Sequence, residues 1–165
     1  MPRVVIADTP HHVTQRGNRR QKTFFEDDDY ERYKRLRATW CARRGVSVWA
    51  YCLMPNHVHL ILTPGTAPAL ARAVGEVHRR YTLAVNEREG WRGYLWQGRF
   101  ASYPMDSHHL LHAARYVLLN PVRAGLADQA TDWAHSSIRA HLTGQGDGLV
   151  DPAPLGQLVD GWESL

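Results

Sequence analysis

The sequence predicts an α+β fold: a ferredoxin-like β-α-β-β-α-β antiparallel sheet with two long helices on one face and an additional C-terminal helix. Three observations predict it. The stretch YCLMPNHVHLIL at 51–62 reads as two strands joined by a Met54-Pro55-Asn56 corner. Two long segments, 27–44 and 67–88, carry helix signals at both ends. The chain has 165 residues, 44% of them hydrophobic, which suits one domain with a core of its own.

The elements follow in order. HHVTQR at 11–16 reads as a strand that ends in an Arg16-Gly17-Asn18 turn. Residues 27–44 read as a helix with acids in its first turn, Arg43 and Arg44 in its last, and Gly45 just beyond. Residues 46–53 and 57–63 form the hairpin. Residues 67–88 read as the second helix, with Pro68 near its start and Gly90 after its end. Residues 98–104 read as the last strand, and SHHLLHAARYVLLN at 107–120 as a third helix stopped by Pro121. The glycines and prolines from 144 onward suggest a loose tail that either docks on the domain or binds a partner, so the expected division is a domain over 1–142 and a tail over 143–165. In this layout the long helices cover one sheet face and leave the other open.

Composition narrows the function classes. No apolar run approaches the roughly 20 residues that span a bilayer, and no signal-peptide pattern opens the chain, so a cytoplasmic setting is expected. Cys41 and Cys52 lack CxxC spacing and read as buried reduced thiols rather than a disulfide or zinc framework. The formal charge is +4 and the pI about 9.3, and the basic residues cluster. TQRGNRRQK at 14–22 holds four cations and no acid, and WRGYLWQGRF at 91–100 alternates arginine with aromatic rings. That pattern suits nucleic acid, where phosphates attract cations and unstacked bases stack on flat side chains; solvated charge beside ordinary core aromatics would look similar.

On the second hairpin strand Val58, Leu60 and Leu62 face the helices, so His57 and His59 share the opposite face. Neutral imidazoles two residues apart on a strand can hold one metal ion. On the third helix, steps of three and four place His109, His112, Tyr116 and Asn120 on one face. A tyrosine one turn before an amide is a plausible nucleophile beside a plausible ligand. Phenol, with a free pKa of about 10, needs help at neutral pH, and a nearby cation gives it by stabilising phenolate and polarising a phosphate oxygen. Two imidazoles and an amide oxygen leave positions open, which favours Mg²⁺ or Mn²⁺ over a closed zinc site.

MPNHVHLIL resembles the HUH signature, two histidines separated by one hydrophobic residue. RGNRRQKTFF (16–25), WQGRFAS (96–102) and RYVLLNPVRAGL (115–126) resemble segments of single-tyrosine HUH transposases. The resemblance is to the REP-associated tyrosine transposase branch of the IS200/IS605 superfamily, and it runs from about His11 to His141, with DWAHSSIRAHL (132–142) similar to the end of that domain. It implies that His57 and His59 are metal ligands, that Asn120 is the third ligand, and that Tyr116 is the nucleophile. It implies metal-dependent cleavage and strand transfer of single-stranded DNA at a hairpin element, through a 5′-phosphotyrosine link, by a monomer rather than a homodimer. Arg16, Asn18, Arg19, Arg20, Arg79, Arg80 and Arg99 are expected at the DNA, with Trp96 as a stacking platform. Two other readings stay open: a hairpin-binding regulator that does not cleave, and a histidine-triad nucleotide hydrolase. Ile61, in the place of a third histidine, argues against the hydrolase.

Overall fold

A computed structural model describes residues 3–162 of the chain. Its elements are β1 (His11–Arg16), α1 (Asp27–Arg44), β2 (Val46–Met54), β3 (His57–Pro64), α2 (Ala67–Glu89), β4 (Ala101–Pro104), α3 (Ser107–Arg123), α4 (Ile138–Thr143) and α5 (Ala153–Gly156). The sheet is antiparallel in the order β2-β3-β1-β4, so β1 is central. This is the α+β, ferredoxin-like arrangement that the sequence predicts.

The two long helices end at the glycines that follow them. Gly45 and Gly90 adopt left-handed φ of 67° and 69° at the C-termini of α1 and α2, a conformation that costs glycine little. Asp106 caps α3 by accepting from the His109 amide at 2.9 Å.

Two cores sandwich the sheet. Val13, Tyr51, Leu53, Val58, Leu60 and Leu62 pack against α1 and α2 through Tyr33, Leu70, Val74, Val77 and Tyr81. Ala50, Cys52, Met54 and Ile61 pack on the other side against Leu110, Ala114, Val117 and Leu118 of α3. A bulge in β2 between Val48 and Ala50 shifts the alternation, so Val48 and Tyr51 share one face while Ala50 and Cys52 share the other. Both cysteines are free and buried.

Four expectations are corrected. The second sheet face is not open, because α3 lies over its β2–β3 side. The third helix does not stop at Pro121; it runs on to Arg123, since the lost proline N–H is one bond only and Ala124 N bonds Asn120 O at 2.9 Å. The last strand begins at Ala101 rather than at 98. The residues after 142 are not loose: Tyr51 Oη donates to Asp147 Oδ2, Asp151 N bonds Val48 O at 2.8 Å, and Val150, Leu155 and Trp162 are buried. Residues 163–165 of that expected tail lie outside the described residues. Among the described residues no helix is long and apolar enough to cross a membrane.

Candidate active site

The site is built by register. β3 pairs with β1 so that His57 lies opposite Arg16, His59 opposite Thr14 and Ile61 opposite His12. Directly paired residues of antiparallel strands point to the same face, so these six side chains share the α3 face. Leu110, Ala114, Val117 and Leu118 seat α3 on that face, and the same seating brings Tyr116 to the histidines.

The Tyr116 ring meets His59 edge-on, with centroids 5.4 Å apart, and lies 6.3 Å from His12. The His57 and His59 rings are 5.1 Å apart. Each has a partner at Nδ1: His57 pairs with Asn56 Oδ1 at 2.7 Å, and His59 with His12 Nε2 at 3.1 Å. The Asn56 amide is itself oriented, because its Nδ2 donates to Arg20 O at 3.2 Å. His57 therefore carries its proton on Nδ1 and presents Nε2 as a lone pair. With the shared proton on His59 Nδ1, that ring presents Nε2 in the same way.

Burial and neighbouring positive charge keep these rings neutral. His59 is pushed down to about 3, first by burial and then by His12, His57 and Arg16. His57 is lowered by burial and by Arg16, and His12 by burial. Neutral imidazole is the ligating form. Among the described residues no group of three His, Cys, Asp or Glu side chains is placed to hold a metal ion. Two neutral imidazoles with free Nε2 lone pairs are of the kind that suits a labile cation with open positions.

Thr14, Gln15, Arg16, His57, His59, Arg99, Ala101 and Tyr116 line a cavity of about 240 Å³. It joins two neutral imidazoles, a phenol that is 43% exposed and two exposed guanidiniums, an arrangement suited to holding an anion beside a hydroxyl nucleophile.

The other predicted residues are placed as follows. Asn120 follows Tyr116 by one turn of α3; it is buried, its Nδ2 has no hydrogen-bond partner among the described residues, and it is not in the cavity lining. Asn18, Arg19 and Arg20 form a short 3-10 turn after β1, with both arginines exposed. Arg79 and Arg80 are exposed, but each pairs with Glu76 at 2.7 Å, which offsets part of their charge. Trp96 is not the exposed platform that was expected: it is 6% exposed and stacks on His78 at 4.5 Å at the edge of the main core. The exposed rings of that segment are Tyr94, at 86%, and Trp91, at 43%. His109 and His112 face solvent, His109 pairing with Asp106.

Two residues of the site escaped the sequence reading. His12 bridges His59 and Tyr116, and Arg123 lies over the Tyr116 ring at 5.1 Å. Alternation along HHVTQR puts His12, Thr14 and Arg16 on one face. Their partners follow only from the β1–β3 register.

Known proteins resemble this chain in sequence and in fold. Over 95 residues the chain is 25% identical to the REP-associated tyrosine transposase of Escherichia coli strain K12, an alignment that covers 57% of this chain and 55% of that protein. The chain thus spans about half the length of that curated relative. A solved REP-associated tyrosine transposase, bound to a REP hairpin, superposes with a TM-score of 0.76 at 22% identity, covering 90% of this chain and 88% of that one, which shows a common fold. The family described as "Transposase IS200 like" matches residues 6–119, a span that takes in the strand histidines, the basic turn and the tyrosine; the chain belongs to that family.

Proposed function

We propose that this chain cleaves and rejoins single-stranded DNA beside a hairpin, with Tyr116 as the nucleophile. The observation that carries the reading is the Tyr116 ring against His59, at the wall of a cavity that also holds Arg16 and Arg99. Tyr116 Oη attacks a backbone phosphorus while the bond from phosphorus to the 3′-oxygen breaks. The phenol proton passes to solvent, which reaches this half-exposed ring, and the departing oxygen takes up a proton as a 3′-hydroxyl. The 5′ side stays on the protein as a phosphotyrosine ester. That ester replaces one phosphodiester bond by another, so a 3′-hydroxyl can reverse the step and join strands without a further energy source.

His57 and His59, each through Nε2, and Asn120 through its amide oxygen are the residues that would hold a Mg²⁺ or Mn²⁺ ion. The Nε2 lone pairs that His57 and His59 present fit this role, and Asn120 joins them by its place one helical turn after Tyr116. The ion, when bound, polarises the phosphate oxygens as a Lewis acid. Arg16 binds the scissile phosphate, Arg99 holds the strand beside it, and Arg123 orients the phenol through its ring face. Asn18, Arg19 and Arg20 contact the backbone of the hairpin, with Arg79 and Arg80 as weaker contributors. The likeness to a transposase seen with a REP hairpin favours a REP-like element as substrate; monomeric action in the cytoplasm is part of the same proposal. Residues 1–142 are read as the transposase unit, which residues 143–162 brace.

The test is a denaturing gel after incubation with labelled hairpin DNA and Mn²⁺ or Mg²⁺. The wild-type chain gives a covalent protein–DNA band. Tyr116→Phe gives none, yet binds the hairpin with near wild-type affinity. A normal adduct from the Phe variant sinks the assignment, and tight binding by wild type with no adduct under any divalent ion favours the non-cleaving regulator.

A further inference from the structure

A second, larger cavity of about 580 Å³ lies between α2 and the segment that leads into β4. We infer that it is a pocket for one unpaired nucleobase of the bound strand, an inference that rests on the single-stranded DNA reading above. Four observations carry it.

The lining is aromatic and apolar, with Trp96, Phe100, Tyr94 and Leu83 among its residues. Stacking of bases on such side chains tolerates any base, because every base has a π face. The second observation is a buried donor. Trp96 is 6% exposed, and its Nε1–H has no acceptor among the described residues. A buried indole N–H nearly always has a partner. A base offers carbonyl and ring-nitrogen acceptors that an aliphatic ligand lacks.

Charge is the third. Arg3, Arg79 and Arg99 all line the cavity and no acidic residue does. Arg79 is held by Glu76, and Arg3 is spent on Phe100, lying 3.7 Å over its ring and donating to its carbonyl. Arg99 has neither hydrogen bond nor ion pair among the described residues, which leaves it for a phosphate. The fourth is continuity: Gln15 and Arg99 line both this cavity and the one beside Tyr116. A strand whose scissile phosphate lies at Tyr116 can therefore place a nearby phosphate on Arg99 and turn the attached base into the apolar pocket. A paired base is held in its stack and cannot enter, so the pocket selects unpaired flank.

Gly75 offers a clean probe. It lines the pocket from α2, and a Cβ built there meets nothing within 4 Å. Gly75→Leu therefore adds bulk at the cavity wall from a Cβ position free of clash, and a leucine in a helix interior favours folding over glycine. Hairpin DNA with a single-stranded flank is compared with versions in which each flanking base in turn is removed to an abasic site. Binding is read by fluorescence anisotropy and folding by thermal melting.

Wild type is expected to lose about tenfold in affinity at one flanking position, the size of one stacked base. Gly75→Leu, melting no lower than wild type, is expected to lose the same factor on intact DNA and nothing more at that abasic position. Trp96→Phe, which keeps the ring and removes the donor, is expected to weaken intact DNA while leaving the abasic DNA unchanged. Equal sensitivity of wild type and Gly75→Leu to every abasic position overturns the pocket while the cleavage reading stands. A wild-type chain that binds no hairpin or single-stranded DNA overturns both.

Discussion

His12 is expected to govern metal affinity at this site through His59. It donates to or accepts from His59 Nδ1 at 3.1 Å, and its ring also touches His59 and Tyr116 at centroid distances of 5.4 and 6.3 Å. His12→Phe keeps a ring of similar shape and removes the hydrogen bond. His59 is 8% exposed, so its Nδ1 then has little water to turn to. An unpartnered buried group costs about 1–3 kcal/mol. In a domain of this size each 1 kcal/mol lowers Tm by roughly 2–4 °C. Loss of a hydrogen bond that orients a ligating imidazole costs about 10–100-fold in metal affinity. The variant should therefore melt about 2–12 °C lower while its Mn²⁺ affinity, by calorimetric titration, falls at least tenfold. Adduct formation should recover at high Mn²⁺, since Tyr116 itself is untouched. His12→Gln, which retains a polar end group, should fall between the two. Wild-type Mn²⁺ affinity in His12→Phe would refute the reasoning, and would leave His12 as a packing partner of Tyr116.

Two further outcomes follow from the geometry. Arg19 and Arg20 hold left-handed φ of 56° and 59°, which costs a non-glycine residue about 1–2 kcal/mol each, so replacing both by glycine should weaken hairpin binding without lowering Tm. The same double variant should flatten the slope of log K against log salt by about 0.7–0.9 per lost phosphate contact; an unchanged slope shows that neither arginine touches DNA. His141, buried against Ser137 with Nε2 to Oγ at 2.9 Å, is pushed down to about 4 by burial, against a partial opposing pull from Asp147. Between pH 6.5 and 4 the unfolded chain then holds more protons than the folded one, so stability is full above 6.5 and declines on acidification by up to about 1.4 kcal/mol per pH unit. His141→Gln should show a shallower decline in urea melts over that window, and an identical decline would remove His141 from the account.

The sequence by itself determined the order of elements, because that order rests on local signals. Glycine closes α1 and α2, and the alternation of Val58, Leu60 and Leu62 fixes which way β3 faces. It also determined the chemistry on offer: two histidines on one strand face, and a tyrosine and an amide one helical turn apart. Each of these is a relation between residues a few positions apart, and spacing alone fixes such relations. What lies between distant segments was not legible. Whether Trp96 is a platform or a core residue depends on α1, α2 and Phe24 closing around it, and its ring looks the same in sequence either way. The partnership of His12 with His59 spans 47 positions and exists because β1 sits between β3 and β4 in one particular register. A shift of one residue would turn His12 to the other face. The tail looked loose because glycine and proline weaken local structure, yet Leu155 and Trp162 bury apolar surface against α3, and burial outweighs local propensity. Tyr116 was a candidate by spacing; only the packing of Leu110, Ala114, Val117 and Leu118 onto the sheet set its ring against His59, because contact between a helix and a strand far apart in the chain is decided by the core they share.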